Sequence, residues 1–363
     1  MRYKKFFALL LALALVCGSL SGCAAGQTAA PAEPAVSFTD SLGRTVDIPE
    51  TLTRVAPSGA VASMFLATIA PEYMTTINAT PSSSQYKYLD PRLIDLPTTG
   101  QMYGSKSTLN LESILTSGVQ VVIDLGDKKD NMAADLDALQ RQIGMPVIFI
   151  EADLPHMAEA YRTLGKILSG KEARGEELAA FVEETVSMAE ENAANIQDSE
   201  RISVLYTSGS SGLNTNAKGS IQAQVLDLMG IENAAVVEDV SNKGGGNPIN
   251  LEQLYRFDPD VILFAAGSIY QTAAADEAWQ PLRAIQAGRY YEVPSMPYNW
   301  LSGPPSLNML LGVWWLGNLL YPQYYDYDMV EKTQEIFRLF WAYDLSADEA
   351  RAMLANSTLK DAS

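Results

Sequence analysis

Asn110-Leu111-Glu112 leads through a short helical stretch into Val121-Val122-Ile123, and Asn250-Leu251-Glu252 leads into Val261-Ile262-Leu263 at the same spacing. The offset is 140 residues for both parts of the pattern. A three-residue match followed by an in-register apolar strand implies two similar halves, each with a helix start feeding a buried strand. The competing explanation is coincidence between common residue types. Outward from these two anchors, β-like and helix-like segments alternate, the mark of an α/β fold with mainly parallel strands. Strands are expected at 54–56, 119–124, 147–150, 201–206, 261–265 and 290–293, and amphipathic helices at 133–143, 157–168, 221–229 and 307–320.

Between the halves, residues 172–195 are dense in Glu, Ala, Val and Leu, lack Pro, and hold one Gly, Gly175, in the opening turn. Leu178, Phe181, Val182, Val186 and Ala189 recur at helical spacing. A helix of this length spans on the order of 35 Å, enough to run from one lobe to the other. Such a stiff connection predicts small domain motions. The expected fold is two Rossmann-like α/β lobes with mainly parallel sheets, bridged by one long α-helix. Its parts are residues 36–171, the interlobe helix 172–197, and 198–363.

At the start of the chain, Arg2, Lys4 and Lys5 precede an apolar run from Phe6 to Cys17 and the tetrad Leu20-Ser21-Gly22-Cys23. This reads as a signal peptide over 1–22. The run, about a dozen residues, is too short for a hydrocarbon core of roughly 30 Å. Leu-Ser-Gly-Cys reads as a bacterial lipobox, with Cys23 the lipidated residue and anchoring through two or more acyl chains. The alternative, an ordinary signal, leaves an exposed thiol without purpose. Residues 23–35 carry no large apolar side chain and read as a flexible tether. The only cysteines are Cys17 and Cys23, so the folded part is expected to hold neither a disulfide nor a free thiol. After the tether, 40–49 reads as a hairpin turning at Leu42-Gly43.

The chain carries 25 Lys+Arg against 43 Asp+Glu; without residues 1–22, which hold three of the bases and no acid, 22 remain and the net charge is −21. That balance argues against nucleic acid and bare anionic membrane as partners. The single histidine, His156, excludes His-rich metal sites and reads as a surface residue at a helix start, with a haem or corrinoid contact as the alternative. A metal is therefore expected only inside a bound chelate, with no protein cofactor.

With lipobox, hairpin, paired Asn-Leu-Glu segments, two α/β lobes and a central helix, the chain resembles the helix-bridged, class III substrate-binding lipoproteins of bacterial ABC importers. The specific points are Asp40-Ser41-Leu42-Gly43-Arg44, Val119-Gln120-Val121-Val122-Ile123-Asp124, Asp258-Pro259-Asp260-Val261-Ile262-Leu263 and Ile221-Gln222-Ala223-Gln224-Val225-Leu226. The resemblance implies an extracytoplasmic, lipid-anchored monomer. It would capture an iron-siderophore or similar metal chelate and pass it to a permease dimer with its ATPase. Corrinoid, haem and oxyanions such as molybdate stay open within that class. It also implies that Glu112 and Glu252 dock onto basic pockets of the two permease subunits; as first-turn acids, both would favour the helix dipole without any partner.

Ligands of open α/β lobes gather at the carboxyl ends of the strands. The first lobe offers Ser58, Gly59, Tyr86, Tyr88, Gln101, Tyr103, Lys106 and Asp127 there, and the second offers Tyr206, Ser208, Lys243 and Asn247. The loop 295–305 adds Met296, Tyr298, Asn299 and Trp300 as an amphipathic wall for a flat or bulky solute. Packing against the helix of Trp314 and Trp315, themselves read as core, is the alternative for that loop. The Gly-rich loops 207–212 and 243–247 lack the Gly-Lys-Ser/Thr ending of a nucleotide-binding loop. One histidine and no thiol leave little for nucleophilic catalysis, so an enzyme acting on a chelate is the remote alternative.

Overall fold

The computed structural model describes residues 34–103, 108–301 and 303–358. The signal peptide and Cys23 lie outside them, as does the tether apart from Pro34 and Ala35. The first strand, β1 (Ala35–Thr39), pairs antiparallel with β2 (Thr45–Pro49). Their turn closes because the Asp40 carboxylate accepts from the backbone N–H groups of Leu42 and Arg44, both at 3.0 Å, and because Gly43 adopts a positive φ of 77°.

The first lobe continues with β3 (Val55–Pro57), α1 (Ala60–Ile69), α2 (Leu111–Thr116), β4 (Val121–Gly126), α3 (Met132–Ile143), β5 (Val147–Glu151) and α4 (Met157–Ile167). Its three strands form a parallel sheet in the order β3-β4-β5. Alternate residues of β4 enter different cores: Val121, Ile123 and Leu125 face one side and Val122 the other. A strand buried on both faces reads as a continuous apolar run, which is why 121–123 stood out in the sequence.

Helix α5 (Glu172–Asn195) follows, 24 residues long. Leu178, Phe181, Val182 and Ala189 are buried on it, as the spacing predicts, and Val186 packs at the edge of the core. It lies close against α4 because two glycines meet. A Cβ added at Gly175 would stand 2.6 Å from the Tyr161 carbonyl oxygen and 2.8 Å from Gly165 Cα.

The second lobe comprises β6 (Ser203–Thr207), β7 (Asn214–Thr215), α6 (Gln224–Leu228), β8 (Glu232–Asn233), β9 (Asn247–Pro248), α7 (Leu251–Phe257), β10 (Val261–Phe264), α8 (Arg283–Gln286) and β11 (Tyr290–Glu292). Its parallel sheet runs β11-β10-β6-β8, with β7 and β9 forming a small antiparallel pair. In β10, Val261 and Leu263 face one core while Ile262 and Phe264 face the other, the same arrangement as in β4. The repeat is also visible at the helix starts. The Asn110 side chain accepts from Ser113 N at 3.2 Å and the Asn250 side chain from Gln253 N at 2.8 Å, so equivalent asparagines cap α2 and α7.

Three helices close the fold: α9 (Asn308–Leu320), α10 (Met329–Trp341) and α11 (Ala347–Leu354). Trp314 and Trp315 are core residues whose indole N–H groups donate to Thr185 Oγ1 on α5 at 2.9 Å and to the Ser357 carbonyl at 2.8 Å. Helix α10 reaches back to the first lobe, where the ring of Phe337 meets Tyr88 edge-on at 5.4 Å. The two lobes and α5 thereby share one continuous core. Among the described residues, no helix is long and apolar enough to cross a membrane.

Candidate functional site

The carboxyl ends of both sheets open onto one cleft of about 510 Å³. Strand β3 delivers Ser58 and Gly59, β4 delivers Asp124 and Asp127, and β6 delivers Tyr206 and Ser208. Gln101 and Tyr103 complete the first-lobe wall; Gln222, Asn242, Gly244 and Gly245 stand on the second-lobe side.

Asp124 forms part of this lining although it is only 5% exposed. Its Oδ1 accepts a hydrogen bond from the Ser58 hydroxyl, and its Oδ2 has no partner among the described residues. Burial pushes the carboxyl up to about 6, against the opposing pull of the Ser58 hydrogen bond and the Lys129 charge. Lys129 donates to Asp127 Oδ1 at 2.9 Å and lies over the Tyr103 ring at 5.3 Å. Burial, with the Asp124 and Asp135 carboxylates, raises the Tyr103 hydroxyl well above the usual phenol range and keeps it neutral.

On the opposite wall, the Gln222 amide donates through Nε2 to the Asn242 carbonyl at 3.1 Å, while Asn242 Oδ1 accepts from Ile221 N at 2.9 Å. The glycines of this loop are needed where the backbone closes on itself: Gly246 has φ 67°, and a Cβ there would stand 2.2 Å from the Thr215 carbonyl oxygen.

Of the residues expected in the cleft, Ser58, Gly59, Gln101, Tyr103, Asp127, Tyr206 and Ser208 are brought together there. Lys106 lies outside the described residues. Others are used elsewhere. Tyr88 is a core residue, 5% exposed and packed edge-on against Phe337 and Tyr343, and Tyr86 beside it does not line the cleft. Trp300 is fully buried because its indole N–H donates to the Met296 carbonyl at 2.8 Å within its own loop, turning the ring inward. Asn299 braces that loop through Leu301 N and the Asn308 amide. Met296 borders a separate depression with Glu292 and Asn356. Tyr298 lines an adjoining hollow of about 190 Å³ that shares Ala60 and Pro304 with the cleft, and burial pushes its hydroxyl up to about 12.

Lys243 is exposed and outside the lining, although its neighbours Asn242 and Gly244 contribute. Asn247 pins its loop, donating to the Asp239 carbonyl at 2.6 Å and accepting from Ser241 N at 2.9 Å. The loop 124–128 was among those expected at the cleft, and Asp124 lines it. Gln222 and Lys129 were not expected there: Gln222 reads as part of a helix, and neither has a local signal that marks a ligand contact.

His156 is exposed just before α4, with Nδ1 on Asp153 and Nε2 3.9 Å from Glu151, and it does not line the cleft. Glu112 and Glu252 are both exposed in the first turns of α2 and α7.

A family profile described as Periplasmic binding protein matches residues 56–297. No curated protein matches. Among solved structures, the chain is similar to an ABC transporter solute binding protein from Sulfurospirillum deleyianum, 26% identical with a TM-score of 0.80; the match covers 88% of this chain and 99% of that one. It shares its fold with the molybdate periplasmic binding protein MolA of Haemophilus influenzae, at 18% identity, TM-score 0.70 and coverage of 86% and 99%. It also shares its fold with the periplasmic heme-binding protein RhuT of Roseiflexus sp. RS-1, at 19% identity, TM-score 0.54 and coverage of 75% and 98%.

Proposed function

The chain belongs to the periplasmic binding protein family, and from that premise we propose that it captures an iron-siderophore or similar metal chelate in the interlobe cleft and delivers it to an ABC permease. The observation that carries this reading is the cleft itself. At about 510 Å³ it is far larger than a bare ion and falls within the roughly 300–1,000 Å³ usual for small-molecule sites. Its walls combine the rings of Tyr103 and Tyr206 with a few convergent polar groups, a mixture suited to an amphipathic organic ligand that wraps a metal.

Delivery in this reading uses Glu112 and Glu252, which occupy equivalent places on the two lobes, as a permease of two related subunits requires. Each is flanked one turn on by an exposed apolar side chain at the same offset of 140 residues: Leu115, 51% exposed, and Tyr255, 43% exposed. An acid beside an exposed apolar residue, repeated on both lobes, suits a protein surface better than it suits water. Cys23, carrying lipid, would hold the protein as a monomer on the outer face of the membrane.

Corrinoid, haem and an oxyanion are the other ligands of this class; MolA is described as bound to molybdate and RhuT as heme-binding. Purification from the native host, followed by absorbance and native mass spectrometry of whatever co-purifies, tests the reading. A ferric charge-transfer band with a matching chelate mass is the expected result. A Soret or corrinoid spectrum, or a colourless protein that binds molybdate, overturns the chelate assignment.

A further inference from the structure

The two walls of the cleft each hold a buried hydrogen-bond acceptor with no donor among the described residues. On the first lobe this is Asp124, whose Oδ1 is taken by the Ser58 hydroxyl while Oδ2 is left without a partner. On the second lobe it is Gln222, 8% exposed. Its orientation is fixed, because the Asn242 carbonyl only accepts and therefore holds Nε2, leaving Oε1 unpaired. Leaving such groups unsatisfied works against folding, and two of them on residues that line one cleft from opposite lobes are matched by donors that a ligand brings as it seats.

The charges around the cleft reinforce this. Among the described lining residues, Asp124 and Asp127 are acids and Lys129 is the one base. Lys129 is already committed to Asp127 and the Tyr103 ring. Lys128, next in the chain, is paired with Glu151 at 2.6 Å and does not line the cleft. Among the described lining residues, an incoming anion would meet two carboxylates, only partly offset by the Lys129 charge, and two acceptors, and a cation or a donor would be matched by the same groups.

We propose that this cleft takes a neutral or cationic ligand that presents hydrogen-bond donors to Asp124 and Gln222, and that it discriminates against oxyanions and polyanionic chelates. This rests on the solute-binding reading above and narrows its substrate to one charge class: chelates such as ferric hydroxamates with amide or ammonium donors, rather than ferric catecholates or molybdate.

The test is calorimetric titration of the purified protein with three probes: a ferric trihydroxamate bearing a free ammonium group, a trianionic ferric tris-catecholate, and molybdate. The cationic trihydroxamate is expected to bind at least roughly tenfold more tightly than either anion. Asp124→Asn keeps an acceptor for Ser58 while removing the charge, and should weaken the cationic chelate roughly tenfold and narrow its advantage over the trianion. Gln222→Leu should weaken the cationic chelate by a smaller factor and leave the charge preference in place. Circular dichroism of both variants checks that they are folded. Equal or tighter binding of the trianion or molybdate, or an unchanged preference in folded Asp124→Asn, overturns the charge assignment while leaving the solute-binding reading intact. A protein that binds none of the three overturns the metal-chelate reading itself, and this inference with it.

Discussion

A carboxylate buried within β4 opposes folding at neutral pH. Asp124 has a carboxyl pushed up from 3.8 to about 6 by burial, so the native state holds its proton more tightly than the unfolded chain. The sign follows: stability contributed by this group falls as pH rises from about 4 to about 6, and the penalty is fully present above that. Asp124→Asn should therefore stabilise the ligand-free protein by roughly 2–3 kcal/mol at pH 8 and by little at pH 4. Urea denaturation at the two pH values measures this, and equal effects at both would show that the charge is not the cause. A residue that costs stability and lines a cleft is what a binding role predicts. Trp300 is the opposite case. Its composition and neighbours mark it for a binding wall, yet one hydrogen bond to Met296 turns it into the core, a choice no local pattern announces.

At the scale of elements, the repeated Asn-Leu-Glu starts and the strands that follow were legible because capping and burial of a strand on both faces leave local, periodic traces in sequence. The same holds for α5, whose apolar spacing survives in the packed helix. The seam between α4 and α5 was not legible, since it depends on Gly165 and Gly175 meeting across two elements. Gly175→Ala places a Cβ against Gly165 and the Tyr161 carbonyl, and the clash should outweigh the gain in helix propensity. A net loss of about 1–3 kcal/mol is expected, read by chemical denaturation. No loss, or a gain, would mean that the seam relaxes freely. The helices α2 and α7 carry a separate expectation. Glu112→Ala with Glu252→Ala should leave solute affinity unchanged and abolish uptake, since both side chains are exposed and neither lines the cleft. Normal transport by the double variant rejects their docking role.

For the whole molecule, α5 and the returning helix α10 join the lobes through one core. The Trp314 indole bonds Thr185 on α5, Phe181 meets Phe340 edge-on at 5.6 Å, and Lys87 pairs with Glu349 at 3.1 Å. Wide opening would expose this apolar surface to water, so only small motions are compatible with it. Small-angle scattering of the ligand-free and ligand-saturated protein should give superimposable curves; a marked compaction on binding would show a hinge that this core does not allow. The sequence by itself determined the α/β class, the two similar halves and the helix between them, because each is written in a short-range period of apolar side chains or in a cap next to the element it serves. Only the tertiary structure decided which side chains line the cleft. Asp124 and Gln222 lie in different lobes, and their unpaired acceptors acquire meaning only when two sheets bring their carboxyl ends to a common space. That convergence, like the inward turn of Trp300 and the return of α10, depends on contacts between residues far apart in the chain, which leave no periodic trace along it.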